Sequence, residues 1–238
     1  FFIKKLIKFL FLIPFTLLGQ EFGNDDITIF DDSVLSIINK NAKIEILADS
    51  FIVAEGPLWD SDKGRLIFTD VRQNKIFTWD EKSGIKDYIS PSGSTGYAPS
   101  FNEGGIGANG LAFDENGNII LCQHGDRRLA LTLNLSSKNP KFITIVDNYK
   151  GKRFNSPNDL AISKNGDIYF TDPPYGFKNF SDRYREIDFN GVYKYSKDGN
   201  LSLISVDMSR PNGIALSLDE KYIYVNNSDP KNDPKILR

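Results

Sequence analysis

The sequence predicts an all-β fold, a β-propeller of four-stranded antiparallel blades. Three observations carry that expectation. One unit recurs four times: Glu55-Gly-Pro-Leu-Trp-Asp…Leu-Ile-Phe-Thr-Asp70, Asn109-Gly-Leu-Ala-Phe-Asp…Ile-Ile-Leu-Cys-Gln123, Asn158-Asp-Leu-Ala-Ile-Ser…Ile-Tyr-Phe-Thr-Asp172 and Asn212-Gly-Ile-Ala-Leu-Ser…Ile-Tyr-Val-Asn-Asn227. The leading residues stand 54, 49 and 54 positions apart, a spacing that belongs to propeller blades. Each unit also carries a tight-turn signal between its first two apolar runs. After residue 40 no apolar run follows the 3.6-residue period of a helix.

The elements follow in chain order. In residues 1–20, Lys4, Lys5 and Lys8 precede the apolar run Phe9 to Leu18, and Gly19-Gln20 follows. A basic end, a short apolar core and a small-residue exit describe a signal peptide, too short in its apolar part to span a bilayer comfortably. The expected destination is the periplasm or the exterior, with no stable membrane insertion after cleavage. Residues 21–43 form an acidic, then mixed, N-terminal segment. Ile44 to Leu47 alternates as a strand would, so the propeller domain is expected over 44–238. The chain starts at Phe1 and stops at Arg238 in mid-unit, and it reads as a segment of a longer protein.

Within each unit a first strand leads to a turn: Ser61-Asp-Lys-Gly64, Glu115-Asn-Gly-Asn118, Lys164-Asn-Gly-Asp167 or Leu218-Asp-Glu-Lys221. Asn-Gly between apolar strands is a strong hairpin signal, because both residues tolerate positive φ. A second strand follows, then a third such as Lys75-Ile-Phe-Thr-Trp79 or Gly191-Val-Tyr-Lys-Tyr195. A fourth, such as Leu201 to Val206, completes the blade. The 18 Phe and 10 Tyr suit strands. Two long connections, Pro91–Gly107 and Pro173–Asn190, are expected to rim the channel mouth.

Charge and composition narrow the function. The formal net charge is −2, which gives no electrostatic footprint for nucleic acid. The single cysteine, Cys122, excludes an internal disulfide and falls within a strand, where a buried inert thiol is expected. No nucleophile elbow and no phosphate-binding glycine loop occur.

Equivalent positions in successive blades face one central channel. The repeat therefore gathers Glu55, Asn109, Asn158 and Asn212 in one place. One carboxylate with several amide oxygens is a hard-oxygen donor set, suited to Ca²⁺ first and to Mg²⁺ or Mn²⁺ second. Zn²⁺ would call for His and Cys, and the chain has one His. Asn and Gly before a strand are also ordinary turn residues. His124 and Asp172 follow or end second strands, within reach of the channel as candidate acid/base groups. The alternative for His124 is a hydrogen-bonded imidazole beside Asp126, and Asp172, before Pro173-Pro174, also fits a turn-forming role. Tyr175 is a candidate for shaping a substrate pocket.

These residues resemble the gluconolactonase / senescence-marker-protein (regucalcin) family of six-bladed propellers, more distantly the paraoxonases and diisopropyl fluorophosphatase. The resemblance runs over about 44–238, with about four blades in this chain. It is carried by Ala54-Glu-Gly-Pro57, Asn109-Gly-Leu111 with Gln123-His-Gly125, Asn155-Ser-Pro-Asn-Asp159, Tyr169-Phe-Thr-Asp-Pro-Pro-Tyr-Gly176 and Arg210-Pro-Asn-Gly213. It implies metal ligation by Glu55, Asn158 and Asn212, and a fourth ligand, an Asp, beyond Arg238. It leaves Asn109 as channel lining, able to contact substrate. Animal-type members place a substrate-binding Arg two residues before the first metal Asn; here that residue is Ser156. The implied activity is metal-dependent hydrolysis of a small lactone or ester, such as glucono-1,5-lactone, with His124 and Asp172 as catalytic candidates and Asn109 and Tyr175 toward substrate. The competing readings are a Ca²⁺-binding scaffold propeller without catalysis, and a related esterase or phosphotriesterase.

Overall fold

The computed structural model describes residues 27–99, 106–133, 140–177, 184–231 and 235–237. The apolar stretch read as a signal peptide lies outside them. Two units separate, 1–49 and 50–238. In the first, the one regular element among the described residues is a 3₁₀ turn over Asp32–Ser36, capped by Asp31, whose carboxylate accepts from Ser33 N. The strand expected at Ile44 to Leu47 does not form. Ile44, Ile46 and Leu47 stay exposed, so no burial offsets the cost of ordering the backbone. Among the described residues no helix is long and apolar enough to cross a membrane.

The second unit is a series of antiparallel blades. The first joins β1 (Ala54–Asp60), β2 (Arg65–Asp70), β3 (Lys75–Asp80) and β4 (Gly84–Ile89) in that order. The second joins β5 (Ala108–Phe113), β6 (Ile119–Gln123), β7 (Arg128–Thr132) and β8 (Phe142–Val146). A short ribbon, β9 (Asn148–Tyr149) with β10 (Lys152–Arg153), leads to the third blade. That blade is β11 (Leu160–Ile162), β12 (Ile168–Asp172), β13 (Gly191–Tyr195) and β14 (Leu201–Ser205). The fourth has three strands among the described residues: β15 (Pro211–Leu216), β16 (Ile223–Asn227) and β17 (Lys235–Leu237). The all-β propeller architecture expected from the repeat is the one observed.

Strand alternation explains why the second strands are so apolar. In β6 every residue is buried. Ile119 and Leu121 pack with Ile67, Ile76 and Ile89 of the first blade. Ile120 and Cys122 pack with Leu160, Ile168 and Phe170 of the third. A strand covered on both faces reads as a continuous hydrophobic run. A third cluster, Val192, Met208, Ile214 and Val225, joins blades three and four.

Three of the four leading residues sit where the innermost strands depart from regular pairing. Register shifts between Glu55 and Leu58, between Ala108 and Leu111, and between Pro211 and Ile214. A bulge bends the strand and re-aims a side chain. Each bulge carries a glycine after the leading residue, and two of these allow the next blade to come close. A Cβ on Gly56 would lie 2.0 Å from the Asn109 carbonyl oxygen, and one on Gly110 would lie 2.8 Å from that of Asn158. The Asn-Gly and Glu-Gly pairs at these points are therefore close-approach sites inside blades, not loop turns.

Phe170 tests how far the inter-blade core holds the fold. It has no exposed surface, stacks on Tyr193 at 5.2 Å and meets Phe154 edge-on. Phe170→Ala is expected to cost about 3–5 kcal/mol of unfolding free energy in a urea titration. A loss under about 1 kcal/mol would show that the blade interface is not packed as described.

Candidate functional site

One pocket of about 340 Å³ collects most of the residues singled out in the sequence. Its walls include Glu55, Asn109, Asn158 and Asn212 from the leading positions, with His124 and Tyr175. Val53, Val71, Arg72 and Ser228 complete it. Of the two long connections, the second contributes Tyr175. Of the first, Pro91 and Thr95 to Tyr97 lie beside Arg128 and Phe142, where Tyr97 stacks under the Arg128 guanidinium at 3.8 Å, and Gly107 bonds through its backbone to Val71 and His124 of the pocket wall.

Three of the four leading residues, Asn109, Asn158 and Asn212, are fixed through their own backbone carbonyls. Thr69 Oγ1 donates to the Asn109 carbonyl at 3.2 Å, Gly110 N to that of Asn158 at 2.7 Å, and Thr171 Oγ1 to that of Asn212 at 2.7 Å. Every one of these bonds comes from the preceding blade. The side chains then have defined starting points on the pocket wall.

The amide orientations leave oxygens for a cation. Asn212 Nδ2 donates to Ser228 Oγ at 3.1 Å, and Ser228 Oγ in turn meets the Tyr175 hydroxyl in a short hydrogen bond. Asn158 Nδ2 faces His124 Nε2 at 3.4 Å. Asn158 Oδ1 is buried and accepts no hydrogen bond from the described residues. Such an oxygen costs on the order of 1–3 kcal/mol unless a ligand completes it. Burial pushes the Glu55 carboxyl above its ordinary range, and the nearby Asp159 charge adds to this. A cation would reverse both effects. Among the described residues no three His, Cys, Asp or Glu side chains gather, so a nitrogen–sulfur site is not built there. The donor set of Glu55, Asn158 and Asn212 fits a hard divalent ion.

Asp159 is a residue the sequence reading passed over. It stands where the other three units have glycine. Its Oδ2 accepts from Ile214 N at 3.0 Å and its Oδ1 from its neighbour Leu160 N at 2.9 Å. Burial raises its carboxyl above the ordinary range. Ser228 was also passed over, although register identifies it. It follows the last residue of its second strand, as Val71 and His124 do in theirs, and all three line the pocket.

Asp172 does not line the pocket. It ends β12 and is fully buried. Its Oδ2 accepts from Asn155 N at 2.8 Å and its Oδ1 from Ser156 N at 2.7 Å. The same position does the same work elsewhere. Asp70 accepts from Ile52 N at 2.8 Å, and Asn227 Oδ1 from Arg210 N at 2.8 Å. Gln123 donates to Ser92 O at 2.7 Å. Alternation along a strand sends this side chain into the blade and the next one to the channel. The direct acid/base role expected for Asp172 therefore lacks the necessary position. His124 is buried on the pocket wall. Asp126 gives its carboxylate to Thr95 N at 3.0 Å and to Arg128 at 3.1 Å. Cys122 is buried, and burial holds its thiol well above the usual range, consistent with an inert side chain.

The buried Asp172 carboxyl yields a pH test. Burial raises it from 3.8 to about 7, against the lowering effect of its backbone donors and of Arg127 and Arg185. The folded form thus holds the proton over a range in which the unfolded chain has released it. Its contribution to stability is full below about pH 4 and is lost as pH rises through about 7. Asp172→Asn is expected to flatten that part of the stability profile, measured by urea unfolding from pH 4.5 to pH 8. An unchanged profile would mean that the carboxyl titrates alike in both states.

Comparison with known proteins agrees with this architecture. Residues 53–232 match the family described as SMP-30/Gluconolactonase/LRE-like region. A gluconolactonase of Zymomonas mobilis is 39% identical over 212 residues, covering 89% of this chain and 58% of that protein. The chain thus spans less than two thirds of that relative's length. A gluconolactonase structure from Xanthomonas campestris superimposes with a TM-score of 0.72 at 27% identity, covering 87% of this chain and 64% of that one. A regucalcin structure from Agrobacterium tumefaciens shares the fold, with a TM-score of 0.55 at 17% identity over 77% of this chain and 53% of that one. By the extent of the family match and the agreement of the blades, this chain belongs to the SMP-30/gluconolactonase family.

Proposed function

We propose that the protein is a lactone hydrolase, that its substrate is a sugar lactone such as glucono-1,5-lactone, and that it uses a divalent cation, Ca²⁺ first. The observation that best supports this reading is Asn158 Oδ1. It is a buried oxygen without a donor among the described residues, and its residue shares a pocket wall with Glu55 and Asn212. The relatives named gluconolactonase support the lactone as substrate class. The basic and apolar residues of 1–20 support export to the periplasm or beyond.

In this reading Glu55, Asn158 and Asn212 hold the ion, which when bound supplies Lewis-acid polarisation of a carbonyl and acidifies water. The residues of the chain do the rest. Glu55 is the carboxylate among the leading residues and matches the cation in charge. His124 Nε2, beside Asn158, takes and returns the proton during ring opening. The Tyr175 hydroxyl, held by Ser228, orients the sugar hydroxyls together with Asn109. Asp172 has no part in proton transfer.

The test uses the full-length protein. Glu55→Gln keeps the size and removes the charge. Ca²⁺ affinity by calorimetry and lactone hydrolysis by pH-stat should both fall by more than roughly tenfold, the cost of losing a charge-assisted contact. Excess Ca²⁺ should restore part of each. His124→Gln keeps a polar group beside Asn158. It should lower kcat by roughly 10²–10⁴-fold while Ca²⁺ affinity stays close to that of the parent. Normal ion binding and turnover in Glu55→Gln would refute the reading.

A further inference from the structure

Among the described residues, blade three contains a connection that the other blades do not. Its clamp begins like theirs: the Asp172 carboxylate accepts from Asn155 N and Ser156 N at 2.8 and 2.7 Å. Asn155 Nδ2 adds a bond to the Asp172 carbonyl at 3.3 Å and to that of Phe189 at 2.8 Å. The hydroxyl of Ser156 then reaches beyond the clamp. It donates to Pro173 O at 2.5 Å and accepts from Gly176 N at 2.9 Å. Gly176 comes so near that a Cβ there would lie 2.8 Å from the Ser156 Cβ. Asp172 and Ser156 have no exposed surface. The positions equivalent to Ser156 in the other units are Val53, Gly107 and Arg210, none with a hydroxyl. Asn158 lies two residues after Ser156, and Tyr175 immediately precedes Gly176.

We propose that Asp172 and Ser156 are positioning residues that set Asn158 and Tyr175 as one unit, so that the ion-binding wall and the substrate wall of the pocket cannot shift independently. The roles of Asn158 and Tyr175 here rest on the lactonase reading; the mechanical coupling between them does not. Ser156 is fully buried, and its side chain straps two segments together. Its hydroxyl gives its one proton to Pro173 O and accepts from Gly176 N. Removing it leaves the Pro173 carbonyl and the Gly176 amide without a buried partner, and the Tyr175 segment loses its tie to the Asn158 segment.

The experiment compares the full-length parent with Ser156→Ala, Asp172→Asn and the double variant. Three quantities are read at pH 8: Ca²⁺ affinity by calorimetry, kcat and KM on glucono-1,5-lactone, and amide hydrogen exchange over 154–160 and 174–177. Ser156→Ala should speed exchange in both segments, raise KM and weaken Ca²⁺ binding, each by about tenfold, the usual effect of losing an outer support. Asp172→Asn should weaken Ca²⁺ binding and leave both limbs of the pH–rate profile in place. The double variant should fall short of the product of the two single effects, because both act through one contact chain. Ser156→Ala that speeds exchange only over 154–160, with KM unchanged, would overturn the coupling. Asp172→Asn that removes one limb of the pH–rate profile with normal Ca²⁺ affinity would make Asp172 a proton-transfer group instead. If the parent hydrolyses no lactone, the functional reading fails, and exchange over the two segments still decides the coupling.

Discussion

The site depends on one kind of contact: a hydrogen bond from each blade to the backbone carbonyl of the next blade's leading residue. Thr69, Gly110 and Thr171 supply these bonds to Asn109, Asn158 and Asn212. They span 2.7–3.2 Å, and at the first two junctions the glycine after Glu55 or Asn109 lets the neighbouring backbone approach closely. The side chains that line the pocket are therefore placed by main-chain contacts whose geometry owes little to what those side chains are. An Asn, a Glu or another polar residue can occupy the same starting point. The scaffold holds position, and the identity of the side chain determines the chemistry.

Three consecutive residues at the end of each second strand divide the remaining work. Thr69, Cys122, Thr171 and Asn226 occupy the first position, and two of them staple the following blade. Asp70, Gln123, Asp172 and Asn227 occupy the second and hold the segment that leads into the blade or beside it. Val71, His124, Pro173 and Ser228 occupy the third, and all but Pro173 line the pocket. A strand alternates its faces, so neighbours in sequence have opposite destinations. At Pro173 the chain turns away, and Tyr175 fills the gap in the wall.

Much of this arrangement was legible in the sequence. The repeat located the blades, and its leading residues located the pocket, because both depend on spacing alone. The Asn-Gly turns located the hairpins. What spacing could not supply was direction at a strand end. His124 and Asp172 looked equivalent, each close to the end of a second strand. They differ by one register position, and one position exchanges the channel for the blade interior. Asp159 was obscured differently. It follows a leading Asn and breaks the pattern of glycines, yet its meaning depends on contacts with two other blades. The alternation at Ile44 to Leu47 matched a strand locally but pairs only through an isolated bridge at Glu45, which no local pattern reveals.

The substitution at position 159 has a consequence for how such a site acquires direction. Four identical units would surround a pocket with identical oxygens, and every approach to it would be equivalent. Asp159 ends that equivalence. Its carboxylate lies beside Gly110 and Gly213, in space that those glycines leave free, and grips the backbone at Ile214. A Cβ on Gly110 would collide with it at 2.6 Å, and one on Gly213 would rest against it at 3.7 Å. The two bare glycines and the single added carboxylate thus make up one asymmetric piece. That piece, with Glu55 as the one carboxylate among three amides at the leading positions, makes the four units unequal, so the wall they build has distinguishable sides.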